Sequence, residues 1–255
     1  MAEVDRVHET DCANATRMLD RGASHLSQMN AAVSRAADAA VLVPCDRHGD
    51  DDGVEVAAVQ GRPPWDLEAH VGRFERDWDV TGRREQQPPD GDWRTWLVMG
   101  GRGSGKTRAG AEWVQALVSA EVGRSQLRIA LVAETLGEAR EVMVDGVSGI
   151  CRIARGSKRP EFEISRRRIV WPNGAVAQIF SSEDPESLRG PQFHYAWCDE
   201  LAKWKHAEET FDMLQFGLRL GRDPRQLVTT TPRPVPLLKR LMGDGGTRLV
   251  RIATR

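Results

Sequence analysis

No stretch of this 255-residue chain approaches the roughly 18 consecutive apolar residues that a membrane-spanning helix requires. The first residues, Met1–Asp11, are polar and acidic and do not read as a signal peptide. The four cysteines, Cys12, Cys45, Cys151 and Cys198, are scattered and form no CxxC pair. That pattern argues against a zinc site and a disulfide framework, and it fits a reducing, cytoplasmic setting. No internal repeat is visible. A net charge of −1 conceals an asymmetry: residues 1–90 hold 10 Lys/Arg against 18 Asp/Glu, and residues 91–255 hold 26 against 19. A basic region behind an acidic leader suits a polyanionic partner, and it suits ordinary solvated charge equally well.

The two ends also differ in pattern. Asp11–Ala40 is Ala-rich, Asp46–Gly53 is an acidic loop, and Gly61–Pro64 is a breaker cluster, with few apolar residues between them. Residues 1–80 are therefore expected to be an atypical, weakly structured acidic N-terminal region. Residues 81–255 are expected to hold the folded domain. After the turn Pro88–Gly91 comes a strand-like run, Trp93–Met99. Lys106–Ala120 is predicted helical, with Ala109, Trp113, Ala116 and Leu117 on one face. Leu127–Ala133 is a second buried strand, and Thr135–Ile150 a helix with Thr135 and Glu138 as a capping box. A meander follows, with strands Glu161–Ser165, Arg168–Trp171 and Ala175–Ser181 and a turn at Pro172–Gly174. Phe193–Cys198 is another strand, Leu201–Leu220 mostly helix, Gln226–Thr230 a strand, Val235–Met242 a helix and Thr247–Ile252 a last strand. This alternation predicts an α/β fold with a mostly parallel sheet.

Gly100-Gly101-Arg102-Gly103-Ser104-Gly105-Lys106-Thr107 fits G-x-x-x-x-G-K-[ST] between a strand and a helix. The glycines let successive N–H groups converge on phosphate oxygens, and the helix adds its positive end. Lys106 would reach the β/γ-phosphates and the Thr107 hydroxyl would ligate Mg²⁺, so ATP and Mg²⁺ are the expected cofactors. Arg102 is either a solvated loop residue or a contact to the γ-phosphate. A second acidic element follows an apolar strand: Asp199 would hold Mg²⁺ through water, and Glu200 would orient the attacking water. His194 and Cys198 read as packing residues. Thr229, Thr230 and Thr231 end a strand after the acidic pair, where they could couple nucleotide state to movement or simply cap the next helix. Arg189 sits in a turn before the acidic strand, as a structural arginine or as one that reaches a γ-phosphate in cis or on a neighbouring subunit. Arg152, Arg155, Lys158, Arg159, Arg166, Arg167 and Arg168 form a basic stretch that faces either DNA phosphates or solvent.

Together, GDWRTWLVMGGRGSGKTRAGAEWV, IVWPNGAVAQIFSSEDPESLRGPQFHYAWCDELAKW and QLVTTTPRP resemble the ATPase domain of large terminase subunits. These are the DNA-packaging motors of tailed phages and gene-transfer-agent particles, and the resemblance covers roughly residues 86–255. It implies a P-loop NTPase of the RecA-like, ASCE type, a three-layer αβα sandwich over residues 81–255. It makes Arg102 the typical phosphate-loop arginine, Gln86 or Gln87 the upstream glutamine that reads adenine, and Glu200 the catalytic carboxylate. Thr229–Thr231 becomes the coupling segment and Arg189 the inter-subunit arginine finger. The implied partners are double-stranded DNA, the portal protein, the small terminase subunit and further copies in a ring on the portal, with no membrane. Family members normally continue into an RNase H-like nuclease domain. Since this sequence stops at Arg255, the expectation is a motor domain without the nuclease, in the cytoplasm of a bacterial host. The alternatives are a helicase-like or repair ATPase, and an inactive prophage remnant that still binds nucleotide.

Overall fold

A computed structural model of the chain describes residues 78–120, 127–154 and 156–254. The expected N-terminal region thus lies almost wholly outside the described residues, as does Arg155. Among the described residues, no helix is long and apolar enough to cross a membrane.

Eight strands form one sheet: β1 Thr95–Gly100, β2 Arg128–Ala133, β3 Glu161–Glu163, β4 Arg168–Val170, β5 Val176–Ser181, β6 Tyr195–Asp199, β7 Arg225–Thr230 and β8 Thr247–Ile252. Their spatial order is β3-β4-β5-β2-β6-β7-β1-β8. The six strands from β5 to β8 in that order pair in parallel, and β3 and β4 add antiparallel to the β5 edge. All six residues of β1 are buried, as are the last five of β2. Near-continuous apolar runs are what a parallel strand covered on both faces needs.

Alternate residues of each strand serve opposite layers. Trp96, Val98, Ile129, Leu131 and Leu227 join one core with Ala109, Trp113, Val114 and Val118 of helix α1, Lys106–Ala120. Leu97, Met99, Ala130, Val132, Cys198 and Val228 join a second core. That core includes Phe211 and Leu214 of α2, Ala207–Gly217, and Leu237, Leu238 and Leu241 of α3, Pro236–Met242. The result is the expected three-layer αβα sandwich. Strand β7 lies between the phosphate-loop strand β1 and the acidic strand β6, the interposed strand that defines the ASCE type. α1 meets β6 closely: a Cβ added at Gly110 would come within 2.2 Å of the Trp197 ring, so only glycine allows this approach.

Several element bounds differ from expectation. In α1, Ala116 is exposed and Val114 and Val118 are buried, because the contact face runs along Ala109/Gly110, Trp113/Val114 and Val118. The single helix expected over Thr135–Ile150 is instead Leu136–Glu138, a π-helical turn Ala139–Val144, and a separate turn Ile150–Ile153. The break sits at Gly146 and Gly149, which close a tight turn in which a Cβ at Gly149 would lie 2.5 Å from the Val144 carbonyl. Thr135 does cap this segment, accepting from the Glu138 N–H at 3.0 Å. The reciprocal half of the box is missing because Glu138 pairs with Lys203. The helix expected from Leu201 begins at Ala207, after a 3-10 turn Leu201–Lys203, because Glu200 is left-handed and interrupts the chain direction. β3 is shorter than expected, giving way to a 3-10 turn at Ile164–Arg166.

Candidate active site

The carboxyl ends of β1, β6 and β7 are adjacent, and each delivers part of one cluster. β1 ends at Gly100 and α1 begins at Lys106, so the glycine loop occupies the strand-to-helix turn. Gly103 and Gly105 have φ of +75° and +90°, a conformation that side chains with a Cβ rarely adopt. Among the described residues, the N–H groups of Gly103, Gly105, Lys106 and Thr107 donate to no protein acceptor. Successive unpaired N–H groups at the start of a 15-residue helix form an anion-binding concavity. The Ser104 hydroxyl is buried in the same turn and has no hydrogen-bond partner.

Lys106 is only 6% exposed and is held on three sides. Its Nζ donates to the carbonyls of Gly100 and Gly101 at 2.9 and 3.1 Å, and it lies 3.1 Å from Glu200 Oε1. An ammonium has three protons, so all of them are engaged.

Asp199 is the last residue of β6 and is buried. Its Oδ1 accepts from the Thr229 hydroxyl at 2.5 Å, and that hydroxyl accepts from Trp197 Nε1 at 3.0 Å. Burial raises the Asp199 carboxyl pKa to about 6; the Thr229 hydrogen bond opposes the rise, the Glu200 charge adds to it, Lys106 opposes it and Glu138 adds to it. Glu200 has φ +47° and ψ +44°, left-handed values that are uncommon for a residue with a side chain. Its carboxylate accepts from the Thr231 N–H at 3.0 Å and the Thr231 hydroxyl at 3.2 Å, while also facing Lys106. Trp204 Nε1 donates to the Asp199 carbonyl at 2.9 Å and braces the backbone just before this turn.

Lys106, Asp199, Glu200, Thr229 and Thr231 are therefore brought together. Thr230 points elsewhere, accepting from the Ala202 N–H at 3.1 Å in the turn after Glu200. Arg102 is exposed on the loop, and its carbonyl accepts from the Thr254 hydroxyl at 3.4 Å. Arg189 is 69% exposed and pairs with Glu186 at 3.1 Å. Gln86 is buried against the loop, donating to the Gly105 carbonyl at 3.0 Å, and Gln87 donates to the Trp78 carbonyl at 2.9 Å. His194 accepts from the Arg128 N–H at 3.1 Å, and the fully buried Cys198 thiol is driven far above its usual pKa by burial. Cys198 is buried in the second core as expected, whereas His194 is only half-buried and serves as a hydrogen-bond acceptor for the backbone. Two contributors were missed in the sequence: Trp197, whose indole orients Thr229, and Arg83, which bonds the loop.

Triphosphate binding fits this site. It would supply acceptors for the unpaired loop N–H groups and a competitor to Glu200 for Lys106. Mg²⁺ fits as well: the Thr107 hydroxyl has no protein partner among the described residues, and Asp199 stands at the end of β6 in the same cluster. Among the described residues, no group of three or more His, Cys, Asp or Glu could hold a metal alone. A magnesium ion here would complete its shell with phosphate oxygens and water, as is usual for that ion.

Residues 97–247 match the family model described as terminase large subunit, T4likevirus-type, N-terminal. No curated protein matches the chain. Among solved structures, the chain is similar to the large terminase ATPase domain of Thermus phage P74-26, at 18% identity and a TM-score of 0.48, covering 69% of this chain and 83% of that one. It is also similar to the large terminase of a thermophilic bacteriophage in complex with ADP, at 15% identity and a TM-score of 0.46, covering 70% of this chain and 43% of that one. For the HK97 bacteriophage large terminase the figures are 14% identity, a TM-score of 0.39, and 54% and 29% coverage. The chain thus spans less than half the length of the latter two proteins.

Proposed function

The chain belongs to the terminase large-subunit family, T4likevirus-type, N-terminal part, and from that premise we propose that it is a Mg²⁺-dependent ATPase that drives double-stranded DNA into a viral or gene-transfer-agent procapsid. The observation that carries this reading is the cluster of Lys106, Asp199, Glu200 and Thr231 at the ends of three adjacent strands. Phosphoryl transfer needs positioning and charge stabilisation more than covalent chemistry, and this cluster supplies both.

Each residue takes one role. The free N–H groups of Gly103, Gly105, Lys106 and Thr107 cradle the phosphates, and the Lys106 side chain contacts the β/γ-phosphates. Thr107, and Asp199 through water, would hold Mg²⁺, which when bound would neutralise charge on the phosphate oxygens. Glu200 orients the attacking water and accepts its proton. Before it can do so, Lys106 must pass from Glu200 to a phosphate oxygen, since its protons are fully used in the resting arrangement. Thr231 makes two bonds to Glu200 in the resting arrangement, so a change at that carboxylate would reach the residue just past β7. This supports Thr229–Thr231 as the coupling segment. Arg102 and Arg189 are exposed, as residues that meet a γ-phosphate only when nucleotide or a neighbouring subunit arrives must be. The partners that follow are double-stranded DNA, the portal protein, the small terminase subunit and further copies of the chain in a ring.

The test is ATP turnover with Mg²⁺. Lys106→Ala and Glu200→Gln should each lower it by about 100-fold or more, the scale seen when one charge-stabilising group is removed. Glu200→Gln should still bind ATP. Wild-type turnover in Glu200→Gln would refute the catalytic assignment.

A further inference from the structure

The segment ahead of β1 reaches the phosphate loop through Arg83 and Gln86. Arg83 stands at the start of a 3-10 turn, Arg84–Gln86. Its guanidinium serves three acceptors. Nη2 donates to the Ser104 carbonyl in the loop, Nη1 to the Ala253 carbonyl just past β8 at 3.1 Å, and Nε to Gln86 Oε1 at 3.1 Å. Gln86 Oε1 also takes the Arg83 backbone N–H at 3.3 Å, and Gln86 Nε2 donates to the Gly105 carbonyl at 3.0 Å. The contact is close enough that a Cβ at Gly105 would lie 2.4 Å from Gln86 Nε2.

The two capped carbonyls are consecutive. The Ser104 carbonyl shares its peptide unit with the Gly105 N–H, and the Gly105 carbonyl shares its unit with the Lys106 N–H. Both N–H groups are free of protein partners among the described residues. Donation into a carbonyl polarises the whole peptide and strengthens the N–H at its other end. We propose that Arg83, acting through Gln86 and the loop backbone, is a positioning residue for the phosphate chain. It polarises and orients the two peptide units that face the anion, and it ties them to the end of β8 at Ala253.

This inference rests on the reading of Gly100–Thr107 as the nucleotide site. It assigns the Arg83–Gln86 pair to the phosphates rather than to the base. Gln86 Oε1 already accepts two protons from Arg83 and Nε2 already serves Gly105, so the amide has little left with which to read adenine.

The probes are ADP, GDP and inorganic pyrophosphate, titrated calorimetrically with Mg²⁺ into the full chain. Arg83→Gln should weaken all three by a similar factor, about tenfold for the loss of a charged hydrogen-bond donor. Added free guanidinium should restore affinity even where the ligand-free unfolding midpoint is lowered by the lost bonds. Arg83→Lys should recover only part of it, because one ammonium cannot span the fork of acceptors. Unchanged affinity for all three probes would overturn the proposal. So would a loss confined to ADP, which would make the pair a base reader. A lowered midpoint with no guanidinium rescue would also overturn it, since Arg83 would then be purely structural. If the wild-type chain bound none of the probes, the nucleotide-site reading itself would fall, and this inference with it.

Discussion

Replacing Asp199 by asparagine should make the ligand-free chain more stable at neutral and mildly alkaline pH. Asp199 is buried at the end of β6, and its pKa is raised from 3.8 to about 6 by burial, against the pull of the Thr229 hydroxyl. A shift of about 2 units at about 1.4 kcal/mol each costs the folded state about 3 kcal/mol when the group is ionised. A raised acid pKa means that the folded chain binds the proton more tightly than the unfolded one. The cost is therefore absent below about pH 3.8, grows as pH rises, and is complete above about pH 6. Asparagine keeps the volume and the oxygen that accepts from Thr229, and it carries no charge to desolvate. The gain should approach about 3 kcal/mol at pH 8 and shrink to a small fraction of that near pH 4. Urea unfolding of both proteins at the two pH values measures it, with EDTA present so that no metal stabilises the carboxylate. An asparagine variant no more stable than wild type at pH 8, or a gain that does not depend on pH, would mean that ionised Asp199 carries no burial cost. The same variant should lose ATP turnover, because stability and metal binding make opposite demands on this carboxylate.

Two further substitutions probe the supports of the site. Gly110→Ala should destabilise the chain by about 1–3 kcal/mol, the usual cost of overpacking, because the new Cβ would lie 2.2 Å from the Trp197 ring; a chemical unfolding midpoint at or above wild type would contradict this. Thr231→Val removes the hydroxyl that bonds Glu200 at 3.2 Å and leaves the backbone N–H in place. In a packaging reaction, DNA moved per ATP hydrolysed should fall more than hydrolysis itself, whereas an equal loss of both would make Thr231 a catalytic support rather than a coupling residue.

The site was legible in unequal parts. The glycine turn Gly100–Thr107 between β1 and α1 was legible because a phosphate cradle, the reading proposed for it, constrains residue type and spacing within eight consecutive positions. The place of Asp199 and Glu200 at a strand end was legible because the apolar run Phe193–Cys198 stops there, although Asp199 itself is buried. The strands β1, β2 and β8 could be read as elements, since their apolar content is local. Their order could not: that β7 lies against β1 depends on pairing between residues more than a hundred positions apart, such as Thr95 and Gln226. The left-handed turn at Glu200 was hidden for a different reason, because a non-glycine residue gives no sign of positive φ. The Lys106–Glu200 contact depends on that turn. The expected helix over Thr135–Ile150 failed at Gly146 and Gly149, where glycine closes a turn that apolar spacing alone does not reveal. Arg83 escaped notice because most of its partners are backbone carbonyls, which carry no sequence identity.

Hydrolysis at Glu200 is proposed to move DNA. The most direct measurement is the amount of DNA that becomes nuclease-protected when the chain, portal-bearing procapsids, double-stranded DNA, Mg²⁺ and ATP are combined. Protected DNA is expected with the wild-type chain and none with Glu200→Gln. No protection with the wild type, or equal protection with both, would contradict it.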